Sequence, residues 1–554
     1  MGCTQGTTAH RPEAVEGLPF NPLPLRIVTP INIEALERYL QRYPCPGLRE
    51  YLLAGFRHGF DIGFRGTFQD DNSRPRNLRT ARDNPELVTE AIAKELRRGH
   101  TSGPFPYPPF THTHCSPLGS DPKPDGSVRL ILDLSSPRGD SVNDGISQED
   151  FACTYSRFDD AVSIVLHLGR GAFLGKIDIK HAFRICPVMP EQWHLLCFQW
   201  LGHFFSDTRL SFGSRSSPFI FNTFAIALAW IVIFCGGVRY LIHYLDDYFL
   251  ASLTEEGCRN DLDIFLQICE DLGVPIAEDK VFGPTHILTY LSIEIDTISM
   301  TVRLPQDKFN RILELLHQWH GCRKCTKREL LALIGLLSFA CKVVKSGRIF
   351  LRRLIDLSAT VSSLHHHIYL NQEARADIDW WVRFFPSWNG VEIIHPTPIS
   401  AIDINLFTDA SDFGFGCVYG QKWMYSRWQG EWLPTPICHV NVRELFAIWA
   451  ATFTWGHEWR DQEIVIFTDN MSLVDVWSSG SCTDALMMGL IRALFFHTAS
   501  FNIHLRLSYV PGAENIDADL LSRLQVREFR DRNPTAEAEP VDVPKEVWYI
   551  PGRR

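Results

Sequence analysis

The stretch "RYLIHYLDDYFLAS" at residues 239–252 places two adjacent carboxylates, Asp246 and Asp247, inside an apolar and aromatic run. Unpaired charge is costly to bury there. Lying between two strand-like runs, the pair reads as the tip of a tight hairpin. A hard divalent cation such as Mg²⁺, or Mn²⁺ in its place, is the natural compensation, because such ions take carboxylate oxygens. A third carboxylate, Asp178, lies in "GKIDIKHAF" at 175–183 on another apolar strand. Three such acids have the makings of a two-metal site. One ion would lower the pKa of an attacking hydroxyl and the other would stabilise leaving pyrophosphate.

The elements that must position these acids can be read from periodicity. Strands are expected at "SVRLILDLS", "FLGKIDI", "RYLIHYL", "YFLAS" and "TYLSIEID", with helices at 159–168, 217–235 and 258–272. That mixture between about 126 and 300 implies an α+β domain with antiparallel hairpins. Before it, residues 1–30 read as a flexible leader and 31–104 as a helical segment, in which "NPELVTEAIAKELRRGH" has Pro in its first turn and basic residues in its last. Residues 305 to about 385 are mostly helical. A second α/β pattern follows, and the Pro-containing tail 526–554 is expected to be disordered.

"YLDDY" with "KIDIKHAF" resembles the catalytic motifs of reverse transcriptases, and further motifs follow in the family's order. "KPDGSVRLILDLS" (123–135) is similar to the fingers motif, which implies that Lys123 and Arg129 hold the incoming triphosphate. "LSFGSRSSPFIFNTF" (210–224) is similar to the template- and nucleotide-positioning motif around Phe212 and Gly213, with Phe212 where retroviral enzymes usually carry Gln. "AEDKVFGP" and "TYLSIEID" are similar to the last palm motifs and primer grip, with Lys280 as a proton donor to pyrophosphate. Within that frame Phe183, five residues after Asp178, would put an aromatic ring under the nucleotide sugar. It would clash with a ribose 2′-hydroxyl and accept deoxyribose, so DNA synthesis is expected.

The C-terminal part carries a second set of acids. Asp409 in "LFTDAS", Glu444 in "NVRELFAI", Asp469 in "IFTDN" and Asp519 in "PGAENIDADLLSR" are spaced 35, 25 and 50 residues apart. Placed on a strand, helix, strand and helix, they resemble ribonuclease H, in which two metals activate water to cut RNA paired with DNA. Asp517 is a competing candidate, but Asp519 fits the motif better. The His that related enzymes place near this point is missing.

The resemblance thus implies a right-hand polymerase (105–300 fingers and palm, 301–395 thumb and connection) followed by an α/β ribonuclease H-like domain (400–525). The wording around the motifs looks most like DIRS-type retrotransposons of eukaryotes, and is also similar to long-terminal-repeat retroelements. Expected partners are an RNA template, a DNA primer, the RNA–DNA hybrid, dNTPs and a tyrosine recombinase supplied by the same element. The alternative is a degenerate or domesticated copy that binds nucleic acid without catalysis.

Composition bounds the rest. A net charge of −10 argues only weakly against a nucleic-acid partner, since fields act locally. Between Arg303 and Arg353 twelve Lys or Arg face three acids, which fits a thumb gripping phosphates. No apolar signal core opens the chain, so an intracellular location, cytoplasmic or nuclear, is expected, with no membrane partner. The opening Met-Gly-Cys has Gly6 where myristoylation wants Ser or Thr. The apolar run 224–238 reads as a buried helix. Fifteen scattered cysteines suit free thiols. Cys322 and Cys325, near His317 and His320, lack the second ligand pair that structural zinc needs, and His365, His366 and His367 read as a surface loop.

Overall fold

Proline at the start of a helix removes an N–H that has no intrahelical partner anyway. It opens both α2 (Pro46–His58) and α3 (Pro85–Arg97), while Asn32 caps α1 (Ile33–Tyr39) by accepting from the Ala35 N–H at 3.1 Å. The computed structural model describes residues 18–68, 75–123, 125–387, 391–393, 399–400, 404, 406–436, 438–480, 482, 484–511 and 515–549. It divides into two units, Met1–Leu288 and Thr289–Arg554. The first unit therefore ends inside the stretch expected as fingers and palm.

In the first unit, β1 (Thr101–Phe105), β5 (Cys197–Trp200) and β6 (His203–Asp207) form a sheet in the order β1-β6-β5, and β2 (Leu118–Pro122) pairs with β3 (Val128–Leu132) as a hairpin. The sheet that carries the acids has the order β7-β8-β4-β9, from β4 (Phe173–Asp178), β7 (Leu241–Tyr244), β8 (Asp247–Ser252) and β9 (Phe282–Thr285). Helices α4 (Phe158–Leu168), α6 (Ser217–Phe234) and α7 (Glu255–Leu272) pack against it, and the short α5 (Ala182–Ile185) follows β4. Side chains alternate across a strand. Tyr248 is accordingly buried, donating to the Ala225 carbonyl of α6 at 2.9 Å, while its neighbour Asp247 turns to the other face. Helix α6 is long and apolar enough to cross a membrane by length and composition, yet most of it is buried in this unit's core.

That core also takes in Leu36, Leu52, Phe56, Val88 and Ile92 from α1, α2 and α3, so the N-terminal helices share one apolar interior with the strands. The expected flexible leader needs correction from residue 18 onward. Leu18 is buried, and Asn21 exchanges backbone hydrogen bonds with Gly103 at 2.8 Å. Residues 1–17, with the Met-Gly-Cys opening, lie outside the described residues.

The first unit also buries a charge cluster. Arg184 of α5 reaches Glu95 of α3 through Nε at 3.1 Å and Asp207 of β6 through Nη1 at 2.7 Å, and His100 Nδ1 lies 3.0 Å from Glu95. Burial would raise the Glu95 carboxyl, but Arg184 and His100 outweigh it and hold it at about 2. A folded value below the ordinary one stabilises the fold above about pH 4.5, and that contribution is lost as pH falls toward 2. We expect wild type to lose up to ~3 kcal/mol from this source on acidification, by the size of the shift. Melting curves at pH 6 and pH 3 should show a smaller fall for Glu95→Gln; an equal fall would contradict the cluster's role.

The second unit begins within β10 (Ile287–Tyr290), which forms a short antiparallel sheet with β11 (Ile293–Asp296), β12 (Thr301–Arg303) and β13 (Val391–Ile393). "TYLSIEID" is thus two strands, because Leu291 and Ser292 take positive φ and turn the chain between them. Helices α8 (Gln306–Trp319), α9 (Lys327–Ala340), α10 (Arg352–Ala359) and α11 (Gln372–Ser387) follow. Then come the meander β14 (Leu406–Ala410), β15 (Gly414–Tyr419), β16 (Lys422–Arg427), and the parallel pair β17 (Glu463–Thr468) and β18 (His504–Tyr509). Helices α12 (Val440–Trp455), α13 (Met471–Ser479), α14 (Ala485–Ser500) and α15 (Ile516–Ser522) belong to the same unit. Buried Asp377 of α11 meets Arg492 of α14 at 3.3 Å and Arg353 of α10 at 3.7 Å, which ties these helices together. Both units mix helix and strand, as the expected α+β class requires. The cysteines among the described residues are free.

The tail expected to be disordered is instead folded through residue 549. It forms α16 (Val526–Arg532) and then a strap held by three indoles. Trp423 donates to the Glu537 carbonyl at 2.8 Å, Trp449 to Val547 at 2.9 Å and Trp432 to Trp548 at 3.3 Å. Val547 is fully buried, and Trp548 stacks among Phe415 and Phe446. Trp548→Ala is expected to lower the unit's melting midpoint by about 10 °C, the effect of deleting a packed aromatic ring. An unchanged midpoint would show that the strap is not part of the folded unit.

Candidate active sites

Strand β8 begins at Asp247, directly opposite Asp178 at the end of β4, so both carboxylates project from the same face. Asp246 sits in the two-residue turn between β7 and β8, where Leu245 takes φ +54°. Positive φ at the first central position is the backbone of a type II′ hairpin turn and is strained for leucine. The Ile179 N–H holds the turn by donating to the Asp246 carbonyl at 2.9 Å. The hairpin thus brings together the three acids that the sequence singled out.

The compensation of their charges is unequal. Lys280 donates to both oxygens of Asp178 at 3.1 Å, so its amine sits on the acid itself. Lys176 shares a strand face with Asp178 and pairs with Asp247 Oδ2 at 3.0 Å. Asp247 Oδ1 is buried with no hydrogen-bond partner. Burial raises the Asp247 carboxyl to about 6 against the pull of Lys176, and Asp178 and Asp246 add to the rise. Burial, then repulsion from Asp178, also pushes Asp246 up. An orphaned buried oxygen beside mutually repelling carboxylates fits a divalent cation held by Asp178 and Asp246, with Asp247 alongside. Among the described residues no three of His, Cys, Asp and Glu already stand as a formed ligand set. The sequence reading missed Lys176, although its place two residues before Asp178 puts it on the same face.

The nucleotide-side residues assemble beside the acids. Arg129 of β3 lies 4.7 Å over the Phe212 ring and is near enough to Asp246 to oppose its rise. Phe212 in turn packs on Phe183 at 5.0 Å, and Phe183 meets Phe221 edge-on at 5.9 Å. Gly213, at φ +112°, cannot be replaced freely, because a Cβ there would sit 1.9 Å from the Leu132 carbonyl oxygen. Lys123 stands exposed at the tip of the β2–β3 hairpin, with no contact to the acids, and its neighbour Pro124 lies outside the described residues.

In the second unit Asp409 is the penultimate residue of β14, Glu444 lies on α12, Asp469 follows β17 and Asp519 lies on α15. Burial raises Asp409 to about 6, with Asp519 and Asp469 adding to it, and raises Glu444 to about 7, with Asp469 and Asp409 adding. The four sequence-predicted acids therefore feel one another's charge. Ser522 donates to Asp409 Oδ2 at 2.6 Å, and Asn470 donates to Glu444 Oε2 at 2.8 Å; neither was foreseen, though Asn470 adjoins Asp469. Asp519 pairs with Arg523 at 2.8 Å, whereas Asp517 turns away to Arg532 at 3.2 Å. Asn515 anchors α15 by donating to the Thr408 carbonyl at 2.9 Å. Gly416 lets that helix close on β15, since a Cβ would meet Leu521 at 2.4 Å.

The basic stretch and the cysteine pair resolve separately. Arg311, Arg323, Arg328, Lys342 and Arg348 face solvent, while Arg303, Arg352 and Arg353 pair with acids. Cys325 is a buried strand residue and Cys322 donates to the Lys324 carbonyl. His365 and His366 are exposed, and His367 begins a short strand.

Residues 122–295 match the family described as reverse transcriptase (RNA-dependent DNA polymerase). They are a reverse transcriptase domain. Curated relatives are Pro-Pol polyproteins of retroviruses. Feline foamy virus is 24% identical over 228 residues, 41% of this chain and 18% of that protein. Simian foamy virus type 1 is 24% identical over 285 residues, 49% of this chain and 23% of that protein. The match thus spans about a fifth of these relatives' length. Solved structures similar to the chain include a foamy viral protease-reverse transcriptase in complex with double-stranded DNA, at 17% identity and TM-score 0.49, covering 89% of this chain and 84% of that one. Another is the foamy viral protein in complex with an RNA/DNA hybrid, at 16% identity and TM-score 0.44, covering 88% of this chain and 64% of that one. These relatives are foamy virus polyproteins and do not test the resemblance to DIRS-type elements.

Proposed function

We propose that the chain is an RNA-directed DNA polymerase with ribonuclease H activity, encoded by a retroelement. The observation that carries the polymerase reading is the hairpin that sets Asp246 beside Asp178 within a reverse transcriptase domain. Asp178 and Asp246 would hold the divalent ions, Mg²⁺ or Mn²⁺, whose chemistry is to activate a primer 3′-hydroxyl and neutralise pyrophosphate. Lys280, whose amine lies on Asp178, would hand a proton to the leaving group. Arg129 would steady the triphosphate, and Phe183 would exclude a ribose 2′-hydroxyl. The converging Asp409, Glu444, Asp469 and Asp519 support the ribonuclease H part, and the DIRS-type origin with its recombinase partner rests on motif wording alone.

A labelled primer on a labelled RNA template, incubated with four dNTPs and Mg²⁺, tests both activities in one tube. Lengthened DNA with shortened RNA is expected. Lengthened DNA with intact RNA would refute the ribonuclease part. Tight binding with neither product would favour the alternative of a non-catalytic nucleic-acid-binding copy.

The solvent-facing bases of 303–353 should grip phosphates. Changing Arg311, Arg328 and Lys342 together to Glu is expected to weaken template binding at low salt. The plot of log affinity against log salt should become shallower by about 1 for each phosphate no longer neutralised. An unchanged slope would retire the thumb reading.

A further inference from the structure

We infer that Arg184 is a positioning residue for nucleotide selection, holding the Phe183 gate through a buried clamp; this rests on the gate reading just proposed. Phe183 and Arg184 are neighbours on α5, a helix of four residues, at whose ends Cys186 N–H donates to the Phe183 carbonyl at 3.1 Å and Arg184 N–H to the His181 carbonyl. So short a helix does not fix its own orientation. The Phe183 ring is braced on one side by Phe212 and Phe221. Arg184 fixes the other side of the turn.

Its side chain is buried and spans two elements distant in sequence, Glu95 of α3 and Asp207 of β6. Each acid is itself anchored. Glu95 contacts His100, and Asp207 accepts from the Thr101 hydroxyl across the β1–β6 pair. A planar fork engaging two carboxylates is directional in a way that an apolar contact is not. Arg184 and Asp207 also line a cavity of about 10 Å³ together with Leu130, Leu132 and Phe212, close to the space one water needs. The clamp therefore borders both the gate and the ring on which the gate rests. Nothing in stability alone requires this charge, since an apolar core of equal volume is often as stable as a buried ion cluster. Its placement next to the gate points to registration of Phe183 instead.

The test measures kcat/KM for a dNTP and for the matching rNTP on an RNA template. Arg184→Lys keeps the charge and loses the fork; Glu95→Gln keeps the shape and loses one charge. Each should lower the dNTP-to-rNTP preference by about tenfold, through better rNTP use, with kcat for the dNTP within about twofold of wild type. Wild-type preference in either folded variant would overturn the clamp. Failure of both variants to fold would also overturn it, by assigning the cluster to stability alone. Phe183→Val separates the two claims: if it leaves the preference unchanged, the gate reading itself fails.

Discussion

Asparagine at position 178 or 246 is expected to lower primer extension by at least about a thousandfold, roughly 4 kcal/mol of transition-state stabilisation. Each substitution removes one unit of negative charge from a site whose acids are set opposite each other by the β4–β8 register and the hairpin turn. The fold should tolerate it, because Asp246 is pushed up by burial and by Asp178, so neutralising it relieves repulsion. Asp247→Asn should do less. Lys176 already pairs with Asp247, and an amide there keeps an oxygen for the lysine. The order of effects, with 178 and 246 large and 247 smaller, is the discriminating result; equal losses at all three would mean that Asp247 is as much a ligand as the others. Hybrid cleavage should persist in all three variants.

The converse is expected in the second unit. Glu444→Gln or Asp409→Asn should reduce cleavage of the RNA strand in an RNA–DNA hybrid by at least about a thousandfold while leaving primer extension on the same template intact. Burial raises both carboxyls, to about 7 and about 6, and neighbouring acids add to the rise: Asp469 and Asp409 for Glu444, Asp519 and Asp469 for Asp409. Those shifts mark acids crowded at the cost of stability, which a bound cation would offset. The neutral variants should therefore melt no lower than wild type without metal, and should lose the stabilisation that added Mg²⁺ gives. Cleavage surviving in Glu444→Gln would refute the assignment of the four acids to one site.

The elements nearest the chemistry were legible because local pattern and tertiary demand agree. Strand β4, the β7–β8 hairpin and helix α6 fall within a residue or two of the runs read from periodicity, since alternating or continuous apolar residues there face one core. Asp178, Asp246 and Asp247 were legible as charges where apolar residues belong, and Asp409, Glu444, Asp469 and Asp519 through their resemblance to ribonuclease H. Other features were hidden because their cause lies far away in sequence. The strap 533–549 looks acidic and Pro-containing by itself, and its carbonyls find partners in the distant Trp423, Trp432 and Trp449 as well as in Arg530. Arg184 reads as an ordinary surface base after an apolar strand, until Glu95 and Asp207 close on it. Lys176 is the intermediate case. Its two-residue spacing from Asp178 was in plain view, but its partner Asp247 arrives only through strand pairing.

The most direct measurement of the central claim is incorporation of dTTP by the purified chain on poly(rA) primed with oligo(dT) in Mg²⁺. The account predicts labelled DNA whose length grows with time. Folded protein that binds this template yet incorporates nothing, in Mg²⁺ or in Mn²⁺, would contradict it.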